Sequence, residues 1–249
     1  DQWKRIQEHR YISISWKRIA SLQGIEFFSS LITLNCDNNQ LTQLDVTQNS
    51  KLKDLNCYNN QLAVLDVSNN IDLDGLICSS NQLTMLDVSN NCLLTVLNCS
   101  ENQLTTLDVS NSKTLEKLLC SANQITTLDV SRNEGLTYLN CGGNKLTSLD
   151  VSNNTALKIL YCYSNQLTSL DVSQNPKLEQ FHCSENQLKS LDISQNALLN
   201  EVVVSRQDVF PLLSIVEQGD GTYTFDLKAL LGDAYDPAHV ALTENDNDG

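Results

Sequence analysis

The sequence has few basic residues, few histidines and no long apolar run. Its 249 residues include 16 Lys and Arg against 30 Asp and Glu, which gives a formal net charge of −14. An acidic surface disfavours nucleic acid and anionic membranes as partners, because both bind clustered Lys and Arg. No apolar stretch reaches the roughly 18 residues that a spanning helix needs. We therefore expect no insertion into a membrane.

The motifs of common enzyme classes are also missing. The sequence has no glycine-rich nucleotide loop, no H-E-x-x-H zinc motif and no G-x-S-x-G nucleophile motif. His182 adjoins Cys183, but neighbouring strand residues point to opposite faces, so the two cannot form a catalytic pair. We predict that the protein is not an enzyme and uses no cofactor. The chain begins at Asp1 without a signal-peptide pattern, so we expect that a targeting segment is absent or has been removed.

One repeated unit dominates the sequence instead. Copies of 21 residues follow the pattern L-x-x-L-x-C-x-x-N-x-L-x-x-L-D-V-S-x-N-x-x, whose positions we number from its first Leu. Self-similarity at a fixed period is the signature of a solenoid whose coils stack on their neighbours. The eight copies begin at Leu31, Leu52, Leu73, Leu94, Leu115, Leu136, Leu157 and Leu178.

The two halves of the unit predict different conformations. In the first half, apolar and polar residues alternate, as in Leu139-Asn140-Cys141, which indicates a strand with one buried face. Stacked coils would then form a parallel sheet with about 4.8 Å between strands. The second half is rich in Thr, Asp, Ser and Asn, which are poor helix formers. We expect an extended return, and so a mainly β repeat solenoid with little helix.

The pattern resembles the leucine-rich repeat, in which the sixth position is Leu or Cys. The 21-residue length, the Cys and the segment L-D-V-S-x-N are similar, more narrowly, to internalin-type surface proteins of Gram-positive and gut bacteria, the internalin J type in particular. The resemblance implies a right-handed superhelix with a parallel β-sheet on its concave face. It also implies a recognition or adhesion module, secreted or at the cell surface, that binds a protein or carbohydrate ligand on that face. We expect a monomer.

Residues 31–198 form the predicted repeat array, and the flanking segments are interpreted as caps that cover its open ends. Residues 1–30 predict a short amphipathic helix and a degenerate coil, with Trp16 and the pair Phe27-Phe28 covering the core. Residues 199–249 predict a second cap. It would hold a β-hairpin around 218–221, followed by a disordered acidic end.

Eight cysteines share position 6 of the repeat. In-register side chains at strand spacing are unsuited to disulfides, whose Cβ atoms converge to about 3.8 Å. Spacings of 21 residues also match no zinc signature. We predict a ladder of reduced, packed thiols and no metal site. The ladder comprises Cys36, Cys57, Cys78, Cys99, Cys120, Cys141, Cys162 and Cys183, while Cys92 lies apart in a turn.

Two polar columns are also regular. The Asn at position 9 is expected to satisfy backbone groups at the turn after each strand. The Asp at position 15 admits two interpretations. One is a calcium ladder, because hard cations bind several oxygens; the other is a series of Asx turns, in which each carboxylate accepts nearby N–H groups. We favour the Asx turns.

The variable positions 3, 5 and 7 are predicted to face outward on the sheet. In repeats six to eight they carry aromatic and apolar residues, beside the small pair Gly142-Gly143, which we expect to leave a shallow depression. Such groups on a rigid sheet favour protein and sugar binding, although tyrosine also suits exposed strands. The alternative function is a passive spacer within a larger surface protein. The candidate ligand-binding residues are Tyr138, Ile159, Tyr161, Tyr163 and His182.

Overall fold

The computed structural model describes residues 2–205, 207, 216–217 and 223–224. Helix α1 (Gln2–Gln7) precedes one ten-stranded parallel sheet, and a 3₁₀ helix (Ile25–Phe27) follows the first strand. The strand order in the sheet is the chain order, so each coil is bonded to the next. This architecture confirms the predicted leucine-rich-repeat solenoid. The strands are β1 (Tyr11–Ser13), β2 (Thr33–Asn35), β3 (Asp54–Asn56), β4 (Gly75–Ile77), β5 (Val96–Asn98), β6 (Lys117–Leu119), β7 (Tyr138–Asn140), β8 (Ile159–Tyr161), β9 (Gln180–His182) and β10 (Glu201–Val203).

The core is a stack of nearly identical apolar layers. Each repeat buries the apolar residues at positions 1, 4, 6, 11, 14 and 16, which form one continuous cluster along the solenoid. Registered pairing places like residues above each other, with Leu139 of β7 opposite Leu160 of β8. A small thiol at position 6 fits this narrow interior, since Cys packs as a small apolar group. The 21-residue period is therefore needed for packing, because it places each buried residue directly above the same residue of the preceding coil.

The asparagines at position 9 join consecutive coils, as predicted. The Asn123 amide donates to the carbonyl of Cys120 in its own coil at 3.1 Å and to that of Cys99 in the preceding coil at 3.0 Å. Its Oδ1 accepts the N–H of Leu104 at 3.0 Å. Gln207 takes the same role after the last repeat, because its Oε1 accepts the N–H of Leu188 and its amide donates to the Cys183 carbonyl.

A second asparagine column, at position 19, is interior, although the repeat pattern alone does not reveal its role. The fully buried Asn154 amide donates to the carbonyl of Val130 at 3.0 Å and to that of Asn133 at 2.9 Å, both in the preceding coil. At the same position, the Ser112 hydroxyl donates to the Asn91 carbonyl at 3.2 Å. Both turns of the coil are thus tied to the coil before.

The N-terminal segment adds one coil, but Trp16 does not cover the core. Strand β1 pairs in register with β2, and Ile12 packs against the core. Trp16 follows the strand with a φ of 60°, the conformation that later coils adopt at position 8, and 74% of it is exposed. The prediction for Trp16 was wrong, because this turn position points the side chain outward. Phe28 packs on the core, while Phe27 is exposed and meets the Trp3 ring at 5.6 Å.

Two short strands lie in the C-terminal segment. Strand β11 (Val216–Glu217) pairs antiparallel with β12 (Tyr223–Thr224), on either side of the predicted hairpin turn. The turn residues and the acidic end lie outside the described residues. The boundaries at residues 30 and 198 stay predictions.

Replacement of Asn123 by Ala should destabilise the protein strongly. It removes the donor for three carbonyls and leaves the buried Leu104 N–H without its acceptor, which costs about 3 kcal/mol in free energy of unfolding. Urea unfolding measures the loss. Asn111 is the matched control, since its exposed amide makes one bond, to the Ser89 carbonyl. Asn111→Ala should stay within about 0.5 kcal/mol of the parent, and equal losses in the two variants would contradict the ladder's role.

Candidate functional site

The cysteine ladder is part of the scaffold. All eight of its thiols are free and buried. Burial raises the pKa of Cys36, Cys99, Cys141 and Cys183 to about 12. Because the thiolate is the reactive form, these groups have no nucleophilic role at neutral pH. The structure places these eight thiols in the core, where a small apolar group packs well.

Thiol labelling should separate Cys92 from the ladder. Cys92 is the exposed cysteine of the nine in the sequence, so a thiol reagent at pH 8 should modify one group in the native protein and nine after denaturation. Mass spectrometry should place the native label on Cys92. Rapid native labelling of Cys141 would contradict the packed ladder, and Cys92→Ser should abolish native labelling.

The aspartates at position 15 form Asx turns, as we favoured. In all eight repeats the carboxylate Oδ1 accepts the N–H of the residue two positions on, for example Ser89 N–H to Asp87 at 2.9 Å. The Ser89 hydroxyl and then its N–H lower the pKa of the exposed Asp87. These bonds offset the repulsion between stacked carboxylates. Among the residues that the structure describes, no group of three or more His, Cys, Asp or Glu is placed to hold a metal ion.

Acid should weaken this turn ladder. A carboxyl whose pKa is lowered by folding contributes its full stability above the unfolded pKa of about 3.9 and loses it as the pH falls through the folded pKa. The urea midpoint should therefore drop below about pH 4. The fourfold variant Asp66→Asn, Asp87→Asn, Asp108→Asn, Asp129→Asn keeps an acceptor oxygen at each position, but its amides do not titrate. Its urea midpoint should therefore fall less on acidification than that of the parent. An equal drop would contradict the account.

Calcium provides the complementary test of the same column. If the aspartates serve only as Asx-turn acceptors, millimolar CaCl₂ should leave the Tm of the protein unchanged. A rise in Tm that EDTA reverses would favour the calcium ladder instead.

Positions 3, 5 and 7 lie on the outer face of the sheet, but position 5 is partly structural. Its Asn accepts the N–H two residues on, as Asn56 does from Tyr58 at 3.1 Å and Asn140 from Gly142 at 3.1 Å. Tyr161 and His182 stand in place of this Asn in the last two repeats. These replacements abandon a scaffold hydrogen bond, as Ile77 and Leu119 also do at this position. Tyr161 and His182 differ from those two because they place rings on the face that stack on each other.

The structure brings the predicted aromatic residues together. Tyr138 meets Tyr161 edge to face with ring centroids 5.8 Å apart, and Tyr161 stacks on His182 at 4.4 Å. Ile159 lies beside them, directly opposite Tyr138 in the pairing of β7 with β8. All of these side chains are half-buried. We call Tyr138, Tyr161, Tyr163 and His182 the aromatic strip.

The depression predicted at Gly142-Gly143 is absent from the described face, because the Tyr163 ring occupies it. A Cβ atom added to Gly142 would lie 2.6 Å from Cε1 and Cζ of that ring. Gly143 has a φ of 64°, the left-handed conformation that Asn38 and Asn59 adopt at the same position, so it belongs to the turn. The sequence shows the small residues but not the rotamer that fills the space above them.

Two polar residues that the sequence did not single out hold the strip in place. The Tyr161 hydroxyl donates to Oε1 of Gln180 at 2.6 Å, and Nε2 of His182 lies 2.8 Å from Oε1 of Glu201. Both pairs are diagonal across neighbouring strands, within reach of long side chains. Gln180 occupies position 3 of the last repeat, and Glu201 pairs with it from the next strand. The sequence shows that Gln180 lies in an outward column, but the diagonal contacts depend on the strand pairing.

The hydroxyls of the strip lie in a partly dehydrated environment. Desolvation, and then the neighbouring Tyr163, raise the pKa of Tyr138. Desolvation also raises the pKa of Tyr161, with further contributions from Tyr138, Glu201 and Tyr163. The phenols of Tyr138 and Tyr161 therefore stay protonated at neutral pH and can both donate and accept hydrogen bonds.

Comparison with known proteins gives consistent matches. A family model described as two copies of Leucine Rich repeats matches residues 134–175. The functional domain of InlJ from Listeria monocytogenes, which includes a cysteine ladder, is 36% identical with a TM-score of 0.69, covering 85% of this chain and 52% of that one. A leucine-rich-repeat protein of Leptospira interrogans is 23% identical with a TM-score of 0.80, covering 98% and 62%. No curated protein matches the chain by sequence.

A plant receptor shares the fold as well. The ectodomain of the membrane receptor kinase GASSHO1/SCHENGEN3 from Arabidopsis thaliana, solved with CASPARIAN STRIP INTEGRITY FACTOR 2, is 20% identical with a TM-score of 0.65. The match covers 80% of this chain and 30% of that one.

The parallel sheet, the buried Leu columns and the asparagine ladder define the chain as a leucine-rich-repeat protein. Its Cys-containing repeats make it internalin-like, since they are similar to those of the InlJ domain with its cysteine ladder. The chain spans about half the length of that domain. Leucine-rich-repeat domains are generally non-enzymatic modules that bind protein partners. In the part of the chain that the structure describes, no helix is long and apolar enough to cross a bilayer.

Proposed function

We propose that this protein is a non-enzymatic recognition module that binds a protein or carbohydrate partner through the aromatic strip on the outer face of its sheet. The observation that carries the proposal is the contiguous set of half-exposed rings on β7, β8 and β9. Aromatic side chains with polar tips are the groups that dominate binding interfaces.

The contacts within the strip favour binding. Tyr161 is held by Tyr138, His182 and Gln180, and His182 is also held by Glu201. Side chains that are already ordered lose little conformational entropy when a partner binds, so more of the contact energy appears as affinity.

A passive spacer is the alternative function, and the composition of the face argues against it. A spacer needs only the stacked scaffold, for which Asn at position 5 is the better residue, because it caps the strand end. Tyr161 and His182 give up that hydrogen bond, as Ile77 and Leu119 do, but they also add rings that contact each other and Tyr138 on the exposed face. Their presence is explained by a surface role better than by a scaffold role.

We further propose that the protein acts as a monomer, secreted or at the cell surface. The similarity of its cysteine ladder to that of InlJ supports this placement. The plant receptor ectodomain of the same fold, solved with a protein factor, supports a protein as one class of partner.

The double variant Tyr161→Asn, His182→Asn tests the proposal. Asn occupies the same position in four other coils, at Asn35, Asn56, Asn98 and Asn140, so the fold should persist. Affinity for a partner isolated with the parent protein should fall at least tenfold, which corresponds to about 1.4 kcal/mol. Surface plasmon resonance provides the measurement, and circular dichroism checks the fold.

Tyr58→Ser is the matched control. Tyr58 is an exposed tyrosine at position 7 of the same face, outside the strip, and Ser79 follows it at that position in the next coil. The control variant should bind with parental affinity. Unchanged binding by the double variant would contradict the site, and the absence of any saturable partner for the parent protein would favour the spacer.

A further inference from the structure

We propose that Tyr163, seated over Gly142, is a stacking platform for a sugar ring, and that this site therefore recognises a neutral glycan. The inference rests on the proposed recognition function and narrows its partner class. It follows from the orientation of one ring, from the polar groups beside it and from the charge of the protein.

The Tyr163 ring lies flat over Gly142. A Cβ atom built on Gly142 would lie 2.6 Å from Cε1, 2.6 Å from Cζ and 2.8 Å from Cδ1 of Tyr163. A point in the plane of the ring but outside it cannot be nearly equidistant from three consecutive ring atoms. Gly142 therefore lies beneath the face of the ring, and it is itself buried.

The opposite face of Tyr163 is the one available to a ligand. Its inner face is taken by Gly142, and the residue is half-exposed, so the exposed area belongs to the outer face and edge. A pyranose presents several C–H groups on one side, and these are attracted to the negative face of an aromatic ring. Tyr161 is less suited to this contact, because it is stacked on His182 and also packs edge to face with Tyr138.

Polar groups follow Tyr163 in the chain and in the next coil. Ser164, the next residue along the chain, donates its hydroxyl to the exposed Glu185 carboxylate of the following coil. The Tyr163 phenol is close enough to contribute to the raised pKa of both Tyr138 and Tyr161. Carboxylate and hydroxyl groups beside an apolar surface are the elements that fix and orient a small polyhydroxylated ligand.

The charge of the protein selects among glycans. The formal net charge is −14, and like charges disfavour association with sulfated or sialylated chains. A cationic protein would be attracted to this surface in a salt-dependent way, whereas stacking of a neutral sugar should depend little on salt.

Gly142 is a positioning residue for this platform, because any side chain there would displace the ring. Position 7 otherwise carries Ser in four coils, at Ser79, Ser100, Ser121 and Ser184. The substitutions Gly142→Ser and Tyr163→Ser thus introduce residues that the fold already accommodates.

The experiment is an NMR titration of the full chain with neutral hexasaccharides: cellohexaose, chitohexaose, maltohexaose and mannohexaose. At least one should cause saturable shifts of the Gly142 α-protons and the Tyr163 ring. Tyr163→Ser should abolish the shifts elsewhere on the strip, Gly142→Ser should weaken binding at least tenfold, and Tyr163→Phe should stay within threefold of the parent. The double variant Gly142→Ser, Tyr163→Ser should be no worse than Tyr163→Ser, because Gly142 acts through the ring. Added NaCl to 0.5 M should change the Kd less than twofold.

The inference is overturned if none of the four sugars perturbs Gly142 or Tyr163 at 10 mM, or if Tyr163→Ser binds a sugar as the parent does. It also fails if Gly142→Ser has no effect. A protein partner that is lost with Tyr161→Asn, His182→Asn but retained by Tyr163→Ser would leave the recognition function standing and refute the glycan. If both the Tyr161→Asn, His182→Asn variant and the Tyr163→Ser variant still bind protein and sugar partners as the parent does, the recognition site and the glycan proposal are both refuted.

Discussion

The hydrogen bonds between consecutive coils fix the register of the whole molecule. Asparagine amides bond backbone groups of their own coil and the preceding one, and each strand pairs residue for residue with the next. Because a slip of one residue would turn every buried side chain outward, this register also decides which residues form the core. The buried Leu and Cys columns follow from it. So does the packed interior, in which each thiol fills a small apolar position.

The same register makes the outer face a regular array, so residues that depart from the repeat pattern there indicate a role other than folding. Position 5 holds Asn in four of the eight repeats and position 7 holds Ser in four, and the Asn serves the backbone. In the last repeats these positions hold rings that contact one another and the side chains of Gln180 and Glu201. A rigid backbone with local side-chain exceptions is the arrangement by which one fold supports many ligands.

Much of this organisation follows from periodicity alone. The strand positions, the free cysteines, the asparagines at position 9 and the Asx turns are determined by local chemistry repeated every 21 residues, and each was predictable. The contact of Tyr163 with Gly142 was not, because a rotamer depends on the neighbouring coil, and the sequence suggested an empty depression there. The prediction that Trp16 covers the core failed for a similar reason. The apolar character of its side chain suggested burial, whereas the turn conformation of its backbone points the side chain outward. The diagonal partners Gln180 and Glu201 required the pairing of β8, β9 and β10.

The most direct test is a map of the contact surface. A partner that binds the parent protein is titrated into it while aromatic and amide NMR shifts are recorded. The shifts that change identify the residues that the partner contacts. The account predicts that the perturbed residues centre on the aromatic strip across β7 to β9, while the Asx-turn side of the coils is unchanged. Perturbations confined to the Asx turns or to the N-terminal cap, with the strip unmoved, would contradict it.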